Sequence, residues 1–164
     1  QQVESVSNLD KANKLNMYYD LSVKLSTFED LEDVISRIKR LNAAYKTDRV
    51  KVDTIKVFYD GTNEAGTSAL VDGLATDPDD HGFLLMDEDQ TYQMFKRANE
   101  EKLDVQLHMV GDLAFRQACN AVERLKNEVG ELDSQIEFCH CEYINPEDRN
   151  RPSELGIIIN WTPH

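Results

Sequence analysis

The amino-acid sequence predicts an α/β protein built on a parallel sheet, and three observations carry that expectation. Stretches with period-two alternation of apolar residues take turns along the chain with stretches of helical period. Capping and turn residues fall at the junctions between them. The chain has 164 residues, enough for one core of ordinary size.

The first strand is expected over Met17–Leu25, where Tyr19, Leu21, Val23 and Leu25 alternate with polar neighbours. Ser26-Thr27-Phe28-Glu29 reads as a capping box. Leu31, Val34, Ile35, Ile38 and Leu41 then recur at helical spacing, predicting a helix over 28–45. A second strand follows over 53–59. The segment 60–82 differs in kind: it holds four of the seven glycines, a proline and the acidic run Asp77-Pro78-Asp79-Asp80. Loops of this length are functional or disordered more often than not, and 60–82 is expected to be a long active-site loop. A helix is predicted over 88–101, a strand over 105–110 and a helix over 113–129. The last of these carries the stripe Ala114, Ala118, Ala121, Val122, Leu125 and Val129. A strand over 135–141 comes next. Asn145-Pro146 starts a helical stretch that Gly156 stops, and a final strand is expected over 157–161.

The order is therefore β-α-β-(long loop)-α-β-α-β-α-β, which favours parallel strands with right-handed crossovers. A small doubly wound domain and about half of an eight-stranded barrel both satisfy it. A complete barrel takes about 250 residues.

Composition removes several functions. The chain carries 31 acidic against 18 basic residues, a net charge of −13. Such a field repels nucleic acid and anionic lipid, both of which bind through Lys and Arg. No nucleic-acid or membrane partner is expected. No apolar run approaches the roughly 20 residues of a membrane span, and the polar start lacks a leader's apolar region. A start without Met suggests a piece of something longer. The three cysteines, Cys119, Cys139 and Cys141, do not make a disulfide framework, which fits a reduced cytoplasmic setting.

In a parallel α/β fold, chemistry gathers where strands end. Lys56, His108 and His140 stand at such places. Alternation puts Gln106, His108 and Val110 on one face of their strand, and His140 with Ile136 and Phe138 on one face of the next. By the same parity Cys139 and Cys141 point away from the His140 face and read as packing residues, not a zinc cluster. Each histidine alone reads first as a hydrogen-bonded core residue. Equivalent placement on consecutive strands makes a shared cation as good an account, since neutral imidazole is the commonest metal ligand. Lys56 alone reads as a surface lysine with a snorkelling stem. A buried lysine can instead react with carbonyls or carbon dioxide. Asp112 is suited to cap a helix and Asp60-Gly61 to form a turn.

These same residues resemble the amidohydrolase superfamily, in its YtcJ-like, AepA-like branch that includes N-substituted formamide deformylases. The strand motif is matched by Ile55-Lys56-Val57-Phe58-Tyr59-Asp60-Gly61, and the loop elements by Thr67-Ser68-Ala69-Leu70 and Asp77-Pro78-Asp79-Asp80-His81-Gly82. Leu107-His108-Met109-Val110-Gly111-Asp112-Leu113-Ala114, Phe138-Cys139-His140-Cys141-Glu142 with Pro146-Glu147-Asp148, and Gly156-Ile157 through Pro163-His164 complete the series. The match runs from about Tyr18 to His164. It implies a single partial (β/α)8 barrel domain over 1–164, about strands three to seven.

The resemblance also implies a metal-dependent hydrolase that cleaves an amide or other C–N bond of a small molecule through a metal-activated water. The cofactor would be one or two divalent ions, zinc by expectation. Lys56, after carbamylation, would bridge the metal, His108 and His140 would ligate it, and Asp60 and His164 would contact substrate. This sequence departs from the pattern in two ways. Cys139 stands where the family has glutamate, and Glu142 where it has glutamine. The family's first-strand His-x-His pair and last-strand aspartate have no match, and neither His81 nor His164 has the spacing to replace them. The 164 residues alone are therefore expected to be inactive and to bind metal weakly or not at all. The alternative is a non-catalytic acidic α/β binding or assembly domain, self-associating through open barrel edges.

Overall fold

A computed structural model describes residues 2–162. Helix α1 spans Gln2–Lys11, strand β1 Tyr19–Leu25, helix α2 Leu31–Tyr45, and strand β2 Val50–Phe58. After the long loop come α3 (Glu88–Glu100), β3 (Asp104–Met109), α4 (Asp112–Val129), β4 (Ile136–His140), α5 (Arg151–Leu155) and β5 (Ile158–Asn160). All neighbouring strands are parallel, in the order β1-β2-β3-β4-β5.

That order decides between the two architectures the pattern left open. A doubly wound sheet reverses its strand order at a switch point, which puts helices on both faces. Here the order never reverses, so right-handed crossovers place every connecting helix on the same face. The arrangement is singly wound, as in part of a barrel.

Strand pairing divides the sheet residues into two sets, because partners in register share a face. Val23, Leu25, Ile55, Val57, Val105, Leu107, Ile136 and Phe138 are buried and face α2, α3 and α4. Phe115 of α4 meets Phe138 edge to face, with ring centroids 5.6 Å apart. On the opposite face, one row across the sheet reads Lys24, Lys56, Gln106, Glu137, and the row nearer the strand ends reads Phe58, His108, Cys139, Asn160. This second face is polar.

Several local expectations are corrected. Residues 2–11 form a helix that the polar sequence did not announce; of it only Ser7 is buried. The Ser26 capping box does not form: Thr27 stands at the N-cap of a short 3-10 turn, Phe28–Asp30, without a side-chain cap bond. A capping box does occur at α3, where Asp87 accepts from the Gln90 amide and the Gln90 side chain returns to the Asp87 amide. Strand β2 begins at Val50, earlier than expected, because Val50 and Val52 continue its buried set. Opposite the Leu21–Ser22 step Asp53 is the extra residue, so register shifts there. The helical stretch before Gly156 is split into a 3-10 turn, Pro146–Asp148, and α5.

The loop between β2 and α3 is folded, although it contains almost no regular structure. The Leu85 amide donates to the Tyr59 carbonyl, Leu70 to His81, and Phe83 and Gly61 both to Thr67. The loop also grips the start of α4: the Leu113 amide donates to the Ala69 carbonyl, and Val71 to the Asp112 carboxylate. Gly111 permits this approach, since a Cβ there would collide with the Ala69 carbonyl.

Candidate metal centre at the strand ends

His108 ends the inward row of β3 and is 7% exposed. Its Nε2 lies 3.0 Å from the carbonyl oxygen of Gly61, a group that can only accept, so Nε2 carries the proton there. Its own carbonyl accepts from the Tyr59 amide at 3.0 Å. The loop thus fixes both ring and backbone of His108.

His140 reaches the same place by another route. Strand parity pairs it with Met109 and would aim it at the helices. Instead His140 and Cys141 adopt φ of 74° and 53°, left-handed conformations that residues with a Cβ rarely take. The turn swings the imidazole across to His108, and the two ring centroids stand 4.7 Å apart at an interplanar angle of 68°. Nδ1 of His140 lies 2.9 Å from the Thr162 carbonyl and hydroxyl oxygens. Backbone strain of this kind costs on the order of 1–3 kcal/mol per residue and gathers at functional sites.

Lys56 lies on the same face, below Phe58. Its ammonium is 5.6 Å from the Phe58 ring centroid, and that ring is 5.4 Å from His108. Lys56 also donates to Cys139 Sγ at 3.9 Å. The sequence-based reading that aimed Cys139 away from the site is therefore wrong. Cys139 pairs with His108 across the sheet and faces the polar side; only its neighbour Cys141 enters the core. Parity failed because the left-handed turn starts at His140 and moves the histidine, not the cysteine. Burial pushes the Cys139 thiol above its ordinary value, against the pull of Lys56, and pushes Cys119 and Cys141 to about 12.

Asp60 is 4% exposed, and both carboxylate oxygens accept from backbone amides: Val110 at 2.9 Å on one, Gly111 at 2.8 Å and Ala69 at 3.1 Å on the other. Burial raises its pKa to about 6, against these three amides, which lower it. It also borders a cleft of about 460 Å³ with Lys24, Phe58, Gly61, Thr67 and Phe83. Glu142 links the end of β4 to the loop, accepting from Asn63 at 2.8 Å, while Ser68 donates to Asn63 at 2.8 Å. His164 lies outside the described residues. His81 bonds the Leu70 carbonyl within the loop.

Two imidazoles side by side fit a divalent cation. Lys56 fits one only after its amine has become an anionic oxygen donor. Among the described residues, no group of three or more His, Cys, Asp and Glu side chains is placed to hold a metal ion. The Gly61 and Thr162 carbonyl contacts that orient the rings escape sequence reading because backbone atoms supply them.

A singly wound parallel sheet with paired histidines at one rim defines part of a hydrolase-type (β/α) barrel. The chain belongs to the Amidohydrolase family, whose model matches residues 1–164. It is 25% identical to the putative amidohydrolase YtcJ of Bacillus subtilis, over 89% of this chain and 26% of that protein. It is 21% identical to LONG AFTER FAR-RED 3 of Arabidopsis thaliana, over 94% of this chain and 26% of that protein. The chain thus spans about a quarter of the length of these relatives. Its fold matches an uncharacterized metal-dependent hydrolase from Pyrococcus furiosus with a TM-score of 0.72 at 23% identity, covering 96% of this chain and 31% of the other. A second one, from Pyrococcus horikoshii, gives 0.72 at 20%, covering 94% and 29%. Among the described residues no helix is long and apolar enough to cross a membrane.

Proposed function

We propose that this chain supplies Lys56, His108 and His140 to the metal site of a cytoplasmic hydrolase that cleaves an amide or other C–N bond of a small molecule. The observation that carries the reading is the His108–His140 pair, whose ring centroids a left-handed turn at His140 and Cys141 brings to 4.7 Å. A bound divalent ion, zinc by preference, would lower the pKa of a water and polarise the scissile carbonyl. His108 and His140 would hold the ion, their rings oriented by the contacts of Nε2 with Gly61 and of Nδ1 with Thr162. Lys56 would serve as its carbamate, formed when the amine adds carbon dioxide. Asp60, with both oxygens occupied, would hold the loop and the β3–α4 turn in place, leaving substrate to the walls of the adjoining cleft.

Calorimetric titration with zinc tests this. Weak binding by the chain, lost in His108→Ala and His140→Ala with the fold retained, is the expected outcome. Equal binding by all three proteins would sink the reading. Hydrolysis of N-formyl and N-acyl amides by these 164 residues alone is expected to be negligible, since the family's remaining ligands and aspartate have no counterpart in the sequence.

Exposed Ile158 and Ile159 on β5, 45% and 38% accessible, favour a second reading, an acidic assembly domain that self-associates. A metal-free oligomer in size-exclusion chromatography would support it.

A further inference from the structure

The polar face carries a thiol, Cys139, to which the proposed hydrolysis gives no role, beside Lys56, to which it gives one. Cys139 and Lys56 come from strands separated by β3, and their Sγ and Nζ atoms approach to 3.9 Å. Glu137, two residues before Cys139 on the same face, places Oε1 3.5 Å from Sγ as an acceptor for the thiol hydrogen. That oxygen is held by amides from Gln106 at 3.1 Å and Asn160 at 2.7 Å. Cys119 and Cys141, by contrast, are packed in the apolar core.

We propose that Lys56 and Cys139 form an oxidative modification site, closed by a peroxide into a covalent sulfur–nitrogen bridge. In the first step Sγ gives two electrons to the peroxide. The O–O bond breaks, one oxygen remains on sulfur as a sulfenic acid, and the other leaves as water with the thiol proton. In the second step the unprotonated amine of Lys56 attacks Sγ. The S–N bond forms, the S–O bond breaks, and the hydroxyl departs as water with a proton from Nζ. Sulfur is oxidised and peroxide reduced, and a thiol reductant reverses the bond. Sulfenic acids are known to condense with nitrogen in this way. The reaction is slow, because Cys139 is only 5% exposed to an incoming peroxide. Resting on the hydrolase reading, one consequence follows for the metal site: a bridged Lys56 has no amine left to carbamylate.

Intact-mass analysis of the purified chain after prolonged hydrogen peroxide treatment tests the bridge without reference to metal or turnover. The expected product has lost two hydrogen atoms, regains them with dithiothreitol, and yields on proteolysis one peptide joining the Lys56 and Cys139 segments. Lys56→Arg keeps the charge but should divert Cys139 to oxygen adducts, and Cys139→Ser should abolish the product. A Cys119→Ala/Cys141→Ala protein, in which no disulfide can form within the chain, should still bridge. Oxygen adducts on Cys139 of the unaltered chain without a joined peptide, or a joined peptide containing Cys141 or Cys119 instead of Lys56, would overturn the proposal. If neither reduced nor bridged protein binds zinc, the hydrolase reading fails while the bridge stands.

Discussion

The two histidines at the rim occupy contrasting settings. His108 ends a regular strand, is almost wholly buried, and is fixed by a loop that Asp60 ties to the β3–α4 turn. His140 sits in a left-handed turn, is half-buried, and is met by the backbone and hydroxyl of Thr162. One is placed by the framework, with its position largely inherited from the sheet. The other is placed against local preference. A pair assembled this way has a stiff member and a tunable one.

That contrast can be broken at four points. The largest effect is expected in the core. Phe138→Ala removes a fully buried ring packed on Phe115, on the strand that leads to His140, and should cost about 4 kcal/mol in chemical denaturation. Asp60→Ala strikes the His108 side by leaving three buried amides unpaired. A loss of about 3 kcal/mol is expected, with faster hydrogen exchange at Ala69, Val110 and Gly111. A loss no greater than that of a surface substitution would mean the loop is held elsewhere.

Asp60 also gives the His108 side a pH dependence. Its folded pKa of about 6 exceeds the ordinary 3.8, so between these values the folded state binds more protons. Its contribution to stability is therefore greatest at low pH and declines as pH rises toward about 6. Relative to Asp60→Asn, the unaltered protein should lose about 2 kcal/mol between about pH 4 and 6, with a constant difference at higher pH. A stability difference that grows with pH over this range would contradict the burial-dominated shift. The smallest effect belongs to the His140 side. His140→Gly should stabilise the fold by about 1 kcal/mol, by relieving the left-handed strain, while abolishing zinc binding. Destabilisation would show that the imidazole serves packing.

Much of the fold was legible because its strands and helices carry strong periodicities. The alternation in β3 is buried as its spacing implies, and so is the stripe on α4 as far as Leu125; Val129, at the end of the helix, is exposed. The first helix was not legible, since it buries only Ser7 and so leaves no apolar face in the sequence. At the site, the face that His108 occupies followed from parity, whereas Lys56 was singled out by the resemblance. The approach of His140 followed from neither, because two left-handed residues without a glycine between them give no compositional signal. The same turn hid the orientation of Cys139. Asp60 was expected to meet substrate, and what its sequence context could not reveal was three amides arriving from two other segments.

The row of residues across the open face has an electrical consequence. Lys24 and Lys56, 5.1 and 5.6 Å from the Phe58 ring, stand at its β1–β2 end, and Glu137 stands toward β4. In a molecule of net charge −13 this sets cationic side chains at one end of the row and an acidic one at the other. A charged molecule crossing this face would therefore meet its two ends unequally, a bias that the net charge by itself does not reveal.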